Sequence, residues 1–255
     1  LDQIADNDFS ERAVALAAVI AEKDPHLIGL QEVSKFTSSL PDSNGSPPFL
    51  DYLEELQSAL SAQGACYEVV AAIENFDIGM PGIPVPTYGN VTILDRDVIL
   101  ARCDVVAEVV DVTETTGCLP SEDGCNYQFF AFALTPIGVI SFERGFIAVD
   151  TIYGRFFNTH LEVRKPGDDD SRVLQRLQAQ QLINAINEVN AEYPPPGPTI
   201  VVGDINSSPE DPDDIPELEP PYMQFETAEY VDAWTLRPGK PKGFTCCFEE
   251  DLSMP

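Results

Sequence analysis

Ile200-Val-Val-Gly-Asp204-Ile-Asn206-Ser207 is an apolar run that ends in two polar side chains. The run predicts a buried strand, with the polar residues at the point where that strand leaves the core. Asp204 and Asn206 are two positions apart, so on an extended chain they face the same way. An ionised Asp can deprotonate or orient a water, and an Asn amide can stabilise an oxygen that gains charge. The alternative is an Asx turn that precedes a helix start.

Two other predicted strands also end in polar side chains that could carry chemistry. Glu32 closes the run Leu27-Ile-Gly-Leu-Gln-Glu32 and supplies a hard oxygen ligand suited to Mg²⁺ or Mn²⁺. Its alternative role is to accept a hydrogen bond from a neighbouring loop. His160 closes Phe156-Phe-Asn-Thr-His160 and could donate to a phosphoryl oxygen or act as an acid. A structural histidine with satisfied hydrogen bonds is the alternative there.

Helical periodicity surrounds these strands. Three segments have apolar residues at helical spacing: Glu11–Lys23 with Ser10 as a candidate N-cap, Asp51–Gln63, and Ser171–Asn190 with Ser171 as a candidate N-cap. The stretch from Glu74 to Tyr88 contains three prolines and two glycines, and it predicts a long loop.

Short β-branched runs dominate the middle of the chain. They predict strands at Tyr67–Ile73, Val91–Leu94, Val98–Ala101, Val105–Val110, Gln128–Ala133, Gly145–Asp150 and Arg155–Leu161, of which the last two form a hairpin. The order of elements favours a mixed pair of sheets covered by helices over a doubly wound fold. We expect one domain over residues 1–255, since this length suits a single α/β core.

The charge balance is strongly acidic, with 43 Asp and Glu against 14 Lys and Arg and a net charge of −29. This balance favours cation binding and opposes general attraction to nucleic-acid backbones. The remaining cations form two groups that are either a positive rim around a site or solvated surface charges: Arg164, Lys165, Arg172 and Arg176, and then Arg237, Lys240 and Lys242. No stretch approaches the length of apolar sequence that a membrane helix needs.

The six cysteines are informative about the cellular compartment of the protein. Cys118 and Cys125 flank a short loop that suits a local disulfide, whereas Cys66 and Cys103 are expected to be strand or core residues. Cys246 and Cys247 are adjacent. With two histidines and no Cys-x-x-Cys pair, a zinc site is not expected. The even count and acidic surface favour an extracellular or periplasmic protein, and six reduced thiols in a cytoplasmic enzyme are the alternative.

Taken together, the motifs resemble those of the endonuclease/exonuclease/phosphatase superfamily, which has the DNase I-like fold. Five short motifs, spread between residues 24 and 207, carry the resemblance in the family's order: Leu30-Gln-Glu32-Val, Arg144-Gly145, Asn158-Thr-His160-Leu161, Arg176-Leu-Gln178-Ala and Gly203-Asp204-Ile-Asn206. The segment Tyr88–Arg96 is also similar to the strand that precedes the family's middle loops.

The resemblance implies an α/β (α+β) fold arranged as a four-layer α/β/β/α sandwich. It also implies roles for five residues. Glu32 would bind the divalent cation, His160 would contact the scissile phosphate, Asp204 would orient or activate the attacking water, and Asn206 would stabilise the transition state. Arg144 would contact the phosphate. Asp232 is expected to be structural, and Asp97 and Asp150 to be surface or turn residues.

The chain also departs from the family pattern. Members begin with a strand that ends in a metal-site Asn, whereas Asn7 here lies in an acidic stretch unlike a strand. Members end with a Ser-Asp-His turn that supplies a proton-relay histidine, and the sequence stops at Pro255 without one. We therefore expect a domain with its terminal strands missing, either as a fragment of a longer enzyme or as an inactive or ligand-binding module.

The function that follows from the resemblance is divalent-metal-dependent hydrolysis of a phosphoric ester by in-line attack of water. DNA, a sphingomyelin-like lipid and an inositol phosphate all remain candidate substrates. The net charge and the absence of interleaved aromatic and basic residues argue against a processive nucleic-acid binder. A small or exposed phosphodiester, reached past Arg164, Lys165 and Lys240, is the expected substrate.

Overall fold

A computed structural model describes residues 9–40, 49–85, 88–135, 138–165, 167–239, 243 and 245. Asn7, Lys240, Lys242, Cys246 and Cys247 lie outside the described residues, so the expectations placed on them are not addressed. Within this part of the chain, no helix combines the length and the apolar character needed to cross a membrane.

Four α-helices and thirteen strands form the described chain. The helices are α1 (Phe9–Lys23), α2 (Tyr52–Ala62), α3 (Asp169–Glu192) and α4 (Pro221–Thr227), with a 3-10 turn at Ala233–Leu236. The strands are β1 (Leu27–Leu30), β2 (Lys35–Ser38), β3 (Phe49–Asp51), β4 (Tyr67–Val85), β5 (Gly89–Arg102), β6 (Glu108–Val109), β7 (Cys118–Ser121), β8 (Gly124–Tyr127), β9 (Ala131–Thr135), β10 (Gly138–Phe142), β11 (Gly145–Thr151), β12 (Gly154–His160) and β13 (Thr199–Asp204).

Two sheets are stacked face to face. In the first sheet, the long strand β5 pairs with β4 on one side and with β1 and β2 on the other, and β3 pairs with β2. The second sheet has the order β13-β12-β11-β8-β7, with β6 also paired to β11. Strands β12 and β13 are parallel, and the other pairs are antiparallel. Among the described residues, β1 pairs only with β5 and β13 only with β12.

Three hydrophobic layers hold the stack together. Helices α1 and α2 pack Ala17 and Leu60 against Leu100 on the outer face of the first sheet. Between the sheets, Ile99 packs with Ile147. Helix α3 covers the outer face of the second sheet with a further set of buried side chains: Phe146, Ala148, Phe157, Leu182 and Ile186. These layers give the four-layer α/β/β/α sandwich that the motifs imply.

Side-chain alternation along the strands assigns each residue to an inner or an outer face. On β5, Leu100 packs outward under the helices, whereas Ile99 packs between the sheets. Asp97 is two positions from Ile99 and therefore shares its inner face. By the same alternation, His160 lies on the inner face of β12, because Phe156 packs between the sheets. Asp97 and His160 thus point into the gap between the two sheets.

Asn158 joins the two sheets across that gap. It is fully buried on β12, and its amide nitrogen donates to the carbonyl oxygens of Leu30 at 3.0 Å and of Val98 at 3.2 Å. Its amide oxygen accepts from Gln31 Nε2 at 2.6 Å. A Cβ at Gly29 would lie 2.4 Å from that oxygen, so a glycine is needed for this close approach.

Several sequence predictions of local structure are confirmed. The β11–β12 hairpin forms, α2 begins after its N-cap Asp51, and α3 spans the predicted helix. Two capping predictions are wrong in detail. Ser10 lies inside α1, where it donates to Glu55, and Asp168 rather than Ser171 caps α3.

The predicted loop at Glu74–Tyr88 is wrong, because β4 continues to Val85 as a partner of β5. Three register shifts along β4 accommodate its irregular residues, and one of them falls between Glu74 and Phe76. Bulges of this kind allow glycine and proline within a strand that pairs on one side. The predicted separate strands at Val91–Leu94 and Val98–Ala101 are one continuous strand, β5, while Val105–Val110 contributes only two paired residues.

Two disulfides are present among the described cysteines. Cys118 and Cys125 are bonded, as their spacing suggests, across the β7–β8 hairpin. Cys66 is bonded to Cys103, a pairing that the sequence interpretation as core residues did not include. This second bond ties the residue before β4 to the residue after β5, and so it closes the open end of the longest hairpin in the fold.

We predict that Asn158→Ala lowers the free energy of unfolding by roughly 3 kcal/mol. The substitution leaves the carbonyl groups of Leu30 and Val98 and the side-chain amide of Gln31 without their hydrogen-bond partner between the sheets. Urea denaturation measures this change. Asn187→Ala, at an exposed position of α3, is the matched control and should alter stability by less than about 0.5 kcal/mol. Equal effects from the two variants would refute the bridging role of Asn158.

Candidate active site

The ends of β1, β12 and β13 meet at one edge of the sandwich. His160 is the last residue of β12 and stands beside Asp204, the last residue of β13, in the parallel register. The pairing continues one residue further, where the Leu161 amide donates to the Asp204 carbonyl at 2.9 Å. Glu32 follows the end of β1, which Asn158 holds against β12. The fold therefore brings together the three predicted strand ends.

Glu32 adopts a left-handed backbone conformation with φ of 56°. Such a conformation is uncommon for a residue with a side chain and is concentrated at functional sites. Partial burial raises the pKa of Glu32, although its side chain reaches solvent. The Arg144 guanidinium opposes this shift, and the carboxylates of Asp95 and Asp204 add to it. Glu32 thus lies within electrostatic reach of three charged groups of the site.

Asp204 and Asn206 form a tight turn after β13. The Asn206 backbone amide donates to Asp204 Oδ1 at 2.9 Å, which is the Asx turn considered as an alternative. Asn206 also has a positive φ of 49°, and its Nδ2 donates to the Leu161 carbonyl at 2.9 Å. Because an amide nitrogen carries two hydrogens, the second remains free to donate elsewhere. The turn fixes both side chains and is compatible with a catalytic role.

Gly203 permits the close approach of β13 to β12 at the site. Its φ is 142°, and an added Cβ would lie 1.9 Å from the Thr159 carbonyl oxygen. Only glycine fits there. The glycine in the Gly-Asp-Ile-Asn motif is therefore explained by backbone packing.

His160 is buried and accepts a hydrogen bond from Arg144. The distance from Arg144 Nη1 to His160 Nδ1 is 3.0 Å. Since a guanidinium can only donate, Nδ1 must accept, and the ring proton resides on Nε2. Burial lowers the pKa of His160 to about 3, and the positive charge of Arg144 acts in the same direction. At neutral pH His160 is therefore a neutral hydrogen-bond donor and not a cation.

Asp95 is a residue of this network that the sequence interpretation missed. It is buried on β5, accepts from Ser34 Oγ at 2.7 Å, and lies 3.7 Å from Arg144 Nη1. Asn75, from the β4 bulge, donates to its other oxygen at 3.2 Å. Asp95 therefore connects the Glu32 loop to the arginine that contacts His160. The signal in the sequence was an Asp inside an apolar β-branched run.

Asp97 is likewise buried, and its assignment as a surface or turn residue is wrong. Neither of its carboxylate oxygens has a hydrogen-bond partner among the described residues. Burial raises the pKa of Asp97 to about 8, with a further contribution from the charge of Asp95. The Asp-x-Asp spacing places both carboxylates on the inner face of one strand. With a pKa of about 8, Asp97 is largely protonated at neutral pH and adds little negative charge to the base of the site.

No three His, Cys, Asp or Glu side chains within the described ranges converge closely enough to hold a metal by themselves. Glu32 is the predicted ligand that reaches solvent at the site, and its oxygen chemistry suits a hard cation. Magnesium commonly binds through one or two carboxylates and completes its shell with water and phosphate oxygens. The donor set around Glu32 is therefore compatible with such an ion, with few protein ligands.

The predicted positive rim is largely neutralised. Arg176 is buried and donates to Asp214 at 2.9 Å, while Arg172 pairs with Asp169 and Asp214. Arg164 lies 3.0 Å from Asp211. In the second group, Arg237 stacks on the Trp234 ring at 4.1 Å. The three arginines of the first group therefore hold loops in place and offer little free positive charge.

Two further aspartates have structural roles. Asp150 lies in β11 and forms a two-contact ion pair with the buried Arg155 at 2.8 Å, so it is not a turn residue. Asp232 accepts from the Trp234 amide at 2.8 Å and caps the 3-10 turn. The structural assignment of Asp232 is thus confirmed.

A sequence profile of the Endonuclease/Exonuclease/phosphatase family matches residues 5–246, and the chain belongs to this family. Members of this family are generally metal-dependent phosphoester hydrolases. Comparison with curated proteins finds no match.

Several solved protein structures are similar to the chain. An endonuclease/exonuclease/phosphatase from Beutenbergia cavernae is 20% identical, with a TM-score of 0.48 over 87% of this chain and 50% of its own. Truncated Caenorhabditis elegans TDP2 is 14% identical, with a TM-score of 0.41 over 85% and 64%. The human Nocturnin catalytic domain is 15% identical, with a TM-score of 0.46 over 90% and 68%. The chain spans about half the length of the Beutenbergia protein.

We predict that the His160 imidazole does not titrate between pH 8 and pH 5, because its pKa of about 3 lies below that window. Nitrogen-15 NMR should show the neutral Nε2–H tautomer throughout. The chain has two histidines, so His26→Asn leaves a single imidazole and removes any ambiguity of assignment. A midpoint near the ordinary value of about 6.5 would contradict the burial and the contact with Arg144.

Proposed function

We propose that the chain is a divalent-metal-dependent phosphoric ester hydrolase that attacks phosphorus in line with water. The observation that carries this proposal is the convergence of Glu32, His160 and Asp204 at one edge of the sandwich. These are two carboxylates and one imidazole on three strand ends. A purely structural origin does not explain why all three strand ends, far apart in sequence, place such groups at the same edge.

Glu32 would hold the divalent cation, with Mg²⁺ or Mn²⁺ as the candidates. When bound, such an ion supplies polarisation of a phosphoryl oxygen and stabilisation of the leaving alkoxide. The left-handed backbone of Glu32 and the hydrogen bond from Ser34 to Asp95 fix the loop that carries this carboxylate. The chain thus contributes a positioned hard ligand to the reaction.

The other site residues would bind the phosphate and handle protons. Nε2–H of neutral His160 donates to a phosphoryl oxygen, while Arg144 holds the ring in this tautomer. Asp204 accepts the Asn206 amide through Oδ1, and its second oxygen can orient or deprotonate the attacking water. The second amide hydrogen of Asn206 can donate to an oxygen that gains charge in the transition state.

The electrostatics of the site also favour a cation-dependent reaction. The carboxyl groups of Glu32, Asp95 and Asp204 lie around a single arginine, Arg144. A phosphoester is an anion and would be repelled by an uncompensated group of carboxylates. A divalent ion would reverse the sign of the local electrostatic potential. Substrate binding and metal binding are therefore expected to be coupled.

The proposed substrate is a small or exposed phosphodiester. The net charge of −29 and the ion-paired arginines oppose extended contact with a nucleic-acid backbone. DNA, a sphingomyelin-like lipid and an inositol phosphate remain the classes to be separated by assay.

We predict that the chain hydrolyses bis-(p-nitrophenyl) phosphate with Mg²⁺ or Mn²⁺, and that Glu32→Gln and Asp204→Asn each lower the rate at least about 100-fold. A loss of this size is typical when a group that acts only in the transition state is removed. Release of p-nitrophenol measures the rate, and p-nitrophenyl phosphate run in parallel separates monoesterase from diesterase activity.

Matched controls are two exposed acids outside the site, Glu54→Gln and Asp213→Asn, which should retain the parent rate. Binding of Mg²⁺ to the parent without turnover would reject the enzyme and favour a ligand-binding module on the same fold. Full activity in Glu32→Gln or Asp204→Asn would reject the assigned roles.

We also propose an extracellular or periplasmic location, which the two disulfides support because such bonds persist in oxidising compartments.

We predict that Cys66, Cys103, Cys118 and Cys125 resist alkylation in urea until a reductant is added. Peptide mass spectrometry measures alkylation at each cysteine in protein purified from its native compartment. Alkylation of these four cysteines without reductant would indicate reduced thiols and a cytoplasmic enzyme. Cys66→Ala/Cys103→Ala should lower the melting temperature, since that bond closes a loop with a sequence separation of 37.

A further inference from the structure

The β9–β10 hairpin is the most apolar exposed element of the described chain. It forms a separate two-stranded sheet and lies between β8 and β11 along the chain. Phe132 is 65% exposed, Leu134 80% and Val139 67%. Leu134 and Val139 are direct cross-strand partners, so these side chains share one face of the hairpin with Phe132.

The opposite face of the hairpin is also apolar. It carries two alanines, Ala131 and Ala133, whose cross-strand partners are Phe142 and Ile140. These residues are partly buried, and Phe142 packs on Phe76 of β4 with ring centroids 5.6 Å apart. The base of the hairpin is therefore anchored to the body of the protein, while its outer part exposes apolar side chains.

Charge is absent from this region of an otherwise acidic protein. Residues 124–142 contain no Asp, Glu, Lys or Arg, although the chain has 43 acidic residues. A docking face for another protein would need one apolar face with a polar rim. An uncharged hairpin that exposes apolar side chains without a charged rim suits instead the interfacial region of a lipid bilayer.

We propose that the β9–β10 hairpin docks the protein on a zwitterionic lipid surface by inserting Phe132, Leu134 and Val139. Insertion is shallow, because the outer edges of a two-stranded hairpin have unpaired backbone groups that cannot enter the hydrocarbon. The lipid must be electrically neutral, since a net charge of −29 is repelled by anionic headgroups.

Docking would bring the candidate site to the lipid surface. Only Glu143 separates the end of β10 from Arg144, which contacts His160. A hairpin anchored on the membrane would therefore hold the adjoining site close to lipid phosphodiesters. This consequence rests on the proposed function, whereas the docking itself does not.

Sedimentation with phosphatidylcholine vesicles tests the docking independently of any catalytic activity. The parent chain should co-sediment, and Phe132→Ser/Leu134→Ser should bind at least roughly ten-fold more weakly. Vesicles that contain phosphatidylserine should bind the parent less well than phosphatidylcholine alone. Circular dichroism confirms that each variant is folded.

The matched control is Ile152→Ser, which removes a side chain that is 83% exposed at the β11–β12 turn. It should bind vesicles like the parent. The proposal is overturned if the parent does not bind vesicles, if it prefers anionic vesicles, or if Ile152→Ser loses as much binding as the hairpin variant. Hydrolysis of bis-(p-nitrophenyl) phosphate by the hairpin variant at the parent rate would show that docking and catalysis are separate.

Discussion

The amide of Asn158 is the contact on which the geometry of the site depends. It crosses the gap between the sheets and bonds to Leu30, Gln31 and Val98, so it aligns the end of β1 with the end of β12. Hydrophobic layers alone would tolerate a small slide of one sheet over the other, because apolar contacts have no direction. Three directional bonds inside the core do not tolerate such a slide. The distance between the Glu32 loop and His160 is thereby fixed by residues that take no part in chemistry.

Sequence patterns predicted the parts of the fold in which local and tertiary preferences agree. Helix α3 and the β11–β12 hairpin have strong periodicity and lie where that periodicity places them. Strand β4 was missed because its prolines and glycines favour a loop, whereas pairing with β5 and a series of bulges allow an extended chain. Tertiary pairing overrides local propensity in such a case.

The candidate site could likewise be predicted from the sequence only in part. Glu32, His160 and Asp204 were predicted as site residues because each terminates an apolar run, and the fold brings these three strand ends together. Asp95 and Asp97 were not found, because a buried Asp inside a strand has no periodic signature, and burial depends on the opposing sheet. The role of the basic groups could not be predicted for a related reason. The sequence left open whether Arg172 and Arg176 form a positive rim or are solvated surface charges, and in the structure a distant loop supplies Asp214, which pairs with both.

The buried acids give the site a constraint that its visible residues alone do not reveal. Asp97 has no hydrogen-bond partner among the described residues, and its neighbour Asp95 is compensated by Ser34, Asn75 and Arg144. Arg144 therefore has two roles. Its positive charge offsets the charge of the Asp95 carboxylate, and its hydrogen bond to His160 fixes the tautomer of that ring. A cation near Glu32 would lower the cost of holding these carboxylates ionised, because opposite charge favours the charged form. An anionic phosphoester would then contact the neutral hydrogen-bond donor of His160, and the cation would offset the negative charge of the carboxylates below it. The acidity of the site is thus consistent with the proposed use of a divalent metal ion, which would offset the repulsion between the carboxylates and a phosphate.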